Sequence, residues 1–194
     1  MQAYTSIRRA GPAIDASQIP VLETPRLRLR AFELRDLAAA CAMWASPEVA
    51  HFIGGQTRSD AEVWSAISRT YGHWALLGYG YLAIEDRATG TYLGQVGFLE
   101  KLRDVSPSHV GTPEAGWALA PEAWGKGIAS EALSALLTWS DRALDAERTV
   151  CLIDPGNLPS IRVAQKCEYQ HKANVSFGSS QTGLFERAAA ITGS

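Results

Sequence analysis

Cysteine is scarce and unpatterned in this sequence. Cys41, Cys151 and Cys167 form an odd, scattered set with no CxxC or CxxH spacing. That excludes a disulfide framework and a zinc finger, and fits buried thiols in a reducing compartment. The histidines, His51, His73, His109 and His171, share no spacing that joins them, so neither a metal site nor a Ser-His-Asp order is expected. No long unbroken apolar run is present, so no membrane-spanning helix is expected, and the N-terminus lacks the apolar core of a signal peptide. A formal charge of −2 and a pI near 6.1 supply no long-range attraction to nucleic acid or anionic membrane. Aromatic residues do not alternate with basic ones as a single-stranded RNA surface requires. These absences lead us to expect a cytoplasmic protein that binds no metal, nucleic acid or membrane.

What is present fits a soluble globular chain, with 46% apolar and 20% charged residues over 194 positions. Residues 1–20, broken by Gly11, Pro12 and Pro20, read as a loose arm, and residues 21–190 as one domain. Leu27 and Leu29 alternate with Arg26, Arg28 and Arg30, the period of an edge strand with one wet face. The alternative for these arginines is a basic anion-binding strip. A helix over 33–44 follows, then a loop at 51–58. Ser59 and Glu62 form a capping box for a helix running to about residue 71. Trp44, Phe52, Trp64 and Trp74 are core or pocket wall.

Strands are expected over 80–84, 91–99 and 113–119, antiparallel to one another, with a polar loop at 101–112. A helix over 126–144, with Ala129, Ala132, Leu133, Leu136, Leu137 and Leu144 at helical spacing, leads to a strand at 149–153. That crossover sets its two strands parallel. A compact helix at 158–166 and strands at 168–173 and 184–189 close a mixed sheet, giving an α/β fold.

The chemistry concentrates in residues 114–130, EAGWALAPEAWGKGIAS. A glycine turn at a helix mouth exposes backbone N–H donors, and Lys126 between Gly125 and Gly127 adds charge to them. The turn lacks the spacing of a Walker A loop and the third glycine of a dinucleotide fingerprint. Backbone cradling of a pyrophosphate follows from this pattern, and so does an ordinary strand-to-helix turn. Asn157 and Ser160 either cap the 158–166 helix or touch a ligand there, and Arg162 and Lys166 share one helical face that is either solvated or meets phosphates. Glu114 opens an apolar strand, where partial burial favours proton holding and a role as base. Glu100 is a second acid at the end of the preceding strand. His109, in the loop between them, is placed to line a substrate entrance.

These blocks resemble the GNAT superfamily of acetyl-coenzyme A-dependent N-acetyltransferases, in its ribosomal-protein (Rim-type) branch. The likeness spans about residues 22–187 through TPRLRLR with Asp36, IGG at 53–55, GQVGF at 94–98, the 114–133 block and NLPSIRVAQK at 157–166. The resemblance implies a GNAT fold whose central twisted sheet is mixed and mostly antiparallel, with a splayed parallel strand pair at the coenzyme site. It implies that Trp124, Gly125, Lys126, Gly127, Ile128, Ala129 and Ser130 wrap the pyrophosphate of acetyl-CoA. The main chain at Trp117, Ala118 and Leu119 would pair with the pantetheine arm. Asn157 and Ser160 would face the coenzyme's inner end, and Arg162 and Lys166 its outer phosphates.

Three positions depart from the family pattern: Trp124 for a glutamine or arginine, Glu168 for a glycine, and Phe185 near the place of an acid tyrosine. The implied reaction is direct acetyl transfer in a ternary complex, with Glu114 as base, directly or through water, and Ser160 as the group protonating the thiolate. The acceptor is a primary amine, either a protein N-terminus or a small molecule such as a metabolite, an amino acid or an antibiotic. Trp44, Phe52, Trp74, Glu100 and His109 would stand around it. A non-catalytic domain that senses the coenzyme is the reading of another class. Monomer and homodimer are both compatible with the sequence.

Overall fold

The computed structural model describes residues 18–101, 109–177 and 180–190. The fold is α/β, a mixed and mostly antiparallel eight-stranded sheet flanked by helices, in strand order β1-β2-β3-β4-β5-β6-β8-β7. The N-terminal half supplies β1 (Leu22–Glu23), β2 (Leu27–Arg30), α1 (Leu37–Ala45), α2 (Pro47–Ala50), α3 (Asp60–Leu77), β3 (Tyr81–Asp86) and β4 (Tyr92–Leu99). The rest is β5 (Glu114–Leu119), α4 (Ile128–Ala143), β6 (Arg148–Ile153), α5 (Leu158–Lys166), β7 (Gln170–Phe177) and β8 (Ser180–Ala188). The β5–α4–β6 crossover makes β5 and β6 the parallel pair among the described strands.

Local chemistry explains the helices. Ser59 caps α3, accepting from Glu62 N–H while the Glu62 side chain reaches back, which completes the capping box. The helix passes the expected stop near residue 71 and ends at Gly78, whose φ of 78° supplies the left-handed C-terminal turn. Gly72 therefore does not break it, because Trp74 and Thr70 bury the face on either side. In α4, Ile128, Ala129, Ala132, Leu133, Leu136 and Leu137 are all buried against the sheet. Each large apolar side chain there contributes about 1.5–3 kcal/mol by burial.

The two sheet faces carry different cores. Ala115 and Leu119 pack with α4, whereas Ala118 joins Trp44, Val63 and Ile67 beneath α1 and α3. By strand alternation Glu114, Gly116 and Ala118 present their side to α1 and α3, and Ala115, Trp117 and Leu119 theirs to α4.

The structure corrects three expectations. β2 is not the edge, since β1 pairs outside it. Nor is its arginine face uniformly wet: Arg30 is 4% exposed and bonded to Asp36 and Glu85. The strands expected at 168–173 and 184–189 are longer than expected, β7 and β8 pairing antiparallel from Gln170 opposite Glu186 to Phe177 opposite Ser180. Most of the expected N-terminal arm (residues 1–17), and residues 102–108 of the expected polar loop, lie outside the described residues.

Candidate active site at the parting of β5 and β6

β5 and β6 share one rung, Glu114 opposite Val150, with Val150 N–H donating to the Pro113 carbonyl at 3.1 Å. Beyond it the strands part. At the far end Ala120 N–H donates to Leu93 O on β4. The two bonds fix the alternation: the main chain of Glu114, Gly116 and Ala118 serves β4, and that of Trp117 and Leu119 faces the gap. The Leu119 carbonyl is not open, because the Trp124 indole N–H donates to it at 2.9 Å. Trp117 N–H and C=O and Leu119 N–H remain turned toward the gap.

The glycine turn stands at the mouth of α4. Gly125 and Gly127 have φ of 72° and 75°, dihedrals that a side chain would strain. A β-carbon placed on Gly125 would meet nothing within 4 Å. Gly127 occupies the N-cap and no side chain caps the helix, so the N–H groups of the first turn are left to an external acceptor. Gly125, Lys126 and Gly127 are exposed, Ile128 and Ala129 are buried, and Ser130 lies between. The residues present fit a pyrophosphate: open glycines, unspent N–H donors and a nearby ammonium.

On the opposite face, at the parting rung, Glu114 is 3% exposed. Its Oε1 accepts from Lys101 Nζ at 2.9 Å and its Oε2 lies 3.1 Å from His109 Nε2. His109 is 4% exposed, and its Nδ1 is buried with no hydrogen-bond partner. Glu100 stands close by. Burial pushes its carboxyl above the ordinary 4.5, with Glu114 adding to the rise and the Gly111 N–H and His109 opposing it. Gly111 N–H donates to Glu100 Oε2 at 3.0 Å, while Oε1 is buried without a partner. Buried polar atoms are seldom left unpaired; among the described residues there are four such side-chain atoms, two of them beside this rung and the others His73 Nδ1 and the Tyr92 hydroxyl.

The remaining candidates divide. Asn157 Oδ1 accepts from Ser160 N–H at 3.1 Å and caps α5, leaving the half-buried Ser160 hydroxyl in the first helical turn. Arg162 and Lys166 are exposed on α5, and no bond ties them to the glycine turn. Trp74 is core: it is 1% exposed, meets Trp139 edge-on and donates to Tyr81 O, which removes it from the substrate wall. Trp44 is buried too, but Arg58 lies over its ring at 3.6 Å. Phe52, 38% exposed, reaches the β6–α5 turn, where a β-carbon on Gly156 would sit 3.5 Å from its ring.

Sequence reasoning missed Lys101, Arg58 and Tyr81. The Tyr81 hydroxyl covers Gly116 on β5 so closely that a β-carbon there would clash with it. The register Tyr81–Gly97–Gly116 was the available signal, since two glycines in line across a sheet leave room for a ring.

Residues 26–170 match the family model described as an acetyltransferase (GNAT) domain. The uncharacterized Bacillus subtilis protein YkkB is 31% identical over 86% of this chain and 94% of its own. The crystal structure of an acetyltransferase from Agrobacterium tumefaciens superposes with a TM-score of 0.76 at 26% identity, covering 88% of this chain and 95% of that one. A ribosomal-protein-S5-alanine acetyltransferase from Vibrio fischeri shares the fold, with a TM-score of 0.70 at 17% identity over 90% and 100% of the two chains. With the strand parting and the uncapped glycine turn both inside the matched residues 26–170, the chain belongs to the GNAT family of acetyltransferases, which move the acetyl group of acetyl-CoA to an amine.

Proposed function

We propose that this protein acetylates the N-terminal amine of a polypeptide, by direct transfer in a ternary complex, as a Rim-type member of the family in the cytoplasm. The observation that carries the reading is the placement of the uncapped turn at Gly125–Ile128 and the Glu114–His109 pair on opposite faces of one strand gap. Acetyl-CoA supplies the acetyl group as an activated thioester. The N–H groups of Gly125, Gly127 and Ile128 hold its pyrophosphate, with Lys126 beside them. Trp117 and Leu119 N–H order the arm within the gap.

The acceptor's ammonium must lose a proton before its nitrogen can react, at a reference pKa of about 8 for an α-amine. His109 Nδ1 takes that proton while Nε2–H passes its own to Glu114 Oε2, so the pair acts as one base. Lys101 Nζ pairs with the other oxygen of Glu114, Oε1. The freed nitrogen attacks the thioester carbon, the C–S bond breaks, and the Ser160 hydroxyl gives its proton to the departing thiolate while taking up the second proton that the nitrogen loses. A peptide end is the acceptor that the Rim-type resemblance implies; the groove of about 430 Å³ beside α3, lined by Arg58, Ala61, Glu62, Ser65 and Arg69, shares no residue with the parting rung or the glycine turn.

The test is thiol release from acetyl-CoA with a panel of free and N-blocked peptides, free amino acids, a polyamine and an aminoglycoside. Turnover on free peptide N-termini alone supports the reading. Turnover restricted to a small amine would overturn the acceptor. Tight coenzyme binding with no turnover on any amine would make the protein a coenzyme sensor.

A further inference from the structure

The glycine turn is braced from behind by β2. Arg26 Nη1 donates to the Lys126 carbonyl at 2.9 Å, and Arg26 Nε donates to Glu131 Oε2 at 2.7 Å. The Arg26 N–H and the Thr24 hydroxyl both bond Glu131 Oε1. Glu131 stands in the first turn of α4, its own N–H bonded to Gly127 O.

Two consequences follow from elementary physics. A trans peptide is planar, with its C=O and N–H pointing in opposite directions. Drawing the Lys126 carbonyl toward Arg26 therefore turns Gly127 N–H away from Arg26. A free carboxylate in the first turn of a helix would also repel an anion at that helix mouth. Arg26 neutralises Glu131 and, with Thr24, holds it to the β2 side.

We propose that Arg26 is a positioning residue for the coenzyme's pyrophosphate, fixing the Lys126–Gly127 peptide plane and cancelling the charge of Glu131. This rests on the reading of the Gly125–Ile128 turn as the pyrophosphate site. Arg26 need not touch the coenzyme. A β-carbon on Gly127 would lie 3.6 Å from its Nη2, which puts the guanidinium directly behind the turn.

Calorimetric titration with CoA tests this without knowledge of the acceptor, using the wild type, Arg26→Gln, Arg26→Lys, Glu131→Gln and the Arg26→Gln/Glu131→Gln pair, each with its thermal unfolding midpoint. Arg26→Gln should weaken CoA binding by about 10- to 100-fold, the worth of one charge-assisted hydrogen bond. The double variant should bind more tightly than Arg26→Gln, because the uncancelled carboxylate is gone. Arg26→Lys should fall between wild type and Arg26→Gln, since it keeps the charge and loses the fork. In turnover, KM for acetyl-CoA should rise with kcat little changed. Folded variants that bind CoA like the wild type, with only their unfolding midpoints lowered, would reduce Arg26 to a tether and overturn the proposal. A wild type that binds no CoA would instead overturn the reading of the turn itself.

Discussion

Two buried charge clusters sit at different places on the same sheet, and only one of them is closed. Arg30 is enclosed near the β2 end, its guanidinium spread over both Asp36 oxygens and Glu85 at 2.7–2.9 Å. Asp36 also accepts from Glu33 N–H. Burial works against an ionised Asp36, yet the Arg30 and Glu33 hydrogen bonds hold its carboxyl below the usual range. At the parting rung Lys101, Glu114, His109 and Glu100 are just as crowded, but His109 Nδ1 and Glu100 Oε1 have no partner. A complete network specifies structure. The network at the parting rung is incomplete, and although His73 Nδ1 and the Tyr92 hydroxyl are also unpaired, only His109 and Glu100 of the four lie beside Glu114, which is why the proposed base is placed there.

The largest effect expected from that difference is kinetic. Glu114→Gln keeps the shape but removes the base, and should lower kcat by about 10²- to 10⁴-fold, the usual worth of a positioned base. The loss should be greatest at low pH, where the amine is mostly protonated, and CoA affinity should be nearly unchanged. A pH–rate profile parallel to that of the wild type would remove Glu114 from the proton path. Arg30→Met should do the reverse. Leaving Asp36 and Glu85 buried without their cation should cost about 3–5 kcal/mol of stability, read by denaturant unfolding. The folded fraction should keep its wild-type pH–rate profile.

The two clusters should also respond to acid with opposite signs. Asp36 has a depressed folded pKa, so its contribution is present above its ordinary value of 3.8 and is lost as pH falls through the folded pKa. Glu100 has a raised folded pKa, so its contribution is whole below 4.5 and is lost as pH rises through the folded pKa. Glu100→Gln should therefore gain stability relative to the wild type as pH is raised from 4 toward neutrality, measured by urea unfolding at stepped pH. A difference that is flat in pH would show that Glu100 is solvated and its environment ordinary.

The sheet and helices were largely legible, because glycine spacing, apolar period and the Ser59–Glu62 box are local signals. The glycine turn was legible for the same reason. What escaped depends on partners far along the chain. Alternation put Arg30 on a wet face, since nothing near it in sequence announces Glu85, 55 residues away. Trp124 was noted as a departure, but that its indole would take the Leu119 carbonyl needed the turn's geometry. His109 and Glu114 are five residues apart, yet a loop that lacks a period gives no direction to a side chain. Trp74 was offered as pocket wall or core, and only packing against Trp139 decides for core.

The smallest effect comes from a third irregularity, which tests whether broken rules always mark chemistry. Glu168 has φ of 67°, the one non-glycine residue in the left-handed region among those described. It follows α5, just after Cys167, where the chain turns back with Tyr169 N–H donating to Ala164 O. Its side chain is 84% exposed, with Arg187 3.9 Å away. The exposed ion pair contributes little, whereas the left-handed backbone costs about 1–2 kcal/mol for a residue bearing a β-carbon. Glycine removes that strain but gives back some unfolded-state entropy. Glu168→Gly should thus stabilise the fold by about 1 kcal/mol, seen as a higher denaturant midpoint at constant m-value. Its kcat and CoA affinity should stay at wild-type values, because the Glu168 side chain is exposed and its ion-pair partner is Arg187, while the link from this turn to the cradle runs through Cys167 Sγ and the Ser130 carbonyl, which the substitution leaves in place. A rate change in that variant would mean that the strain is tied to the reaction, and that unsatisfied atoms alone do not separate the catalytic cluster from the structural one.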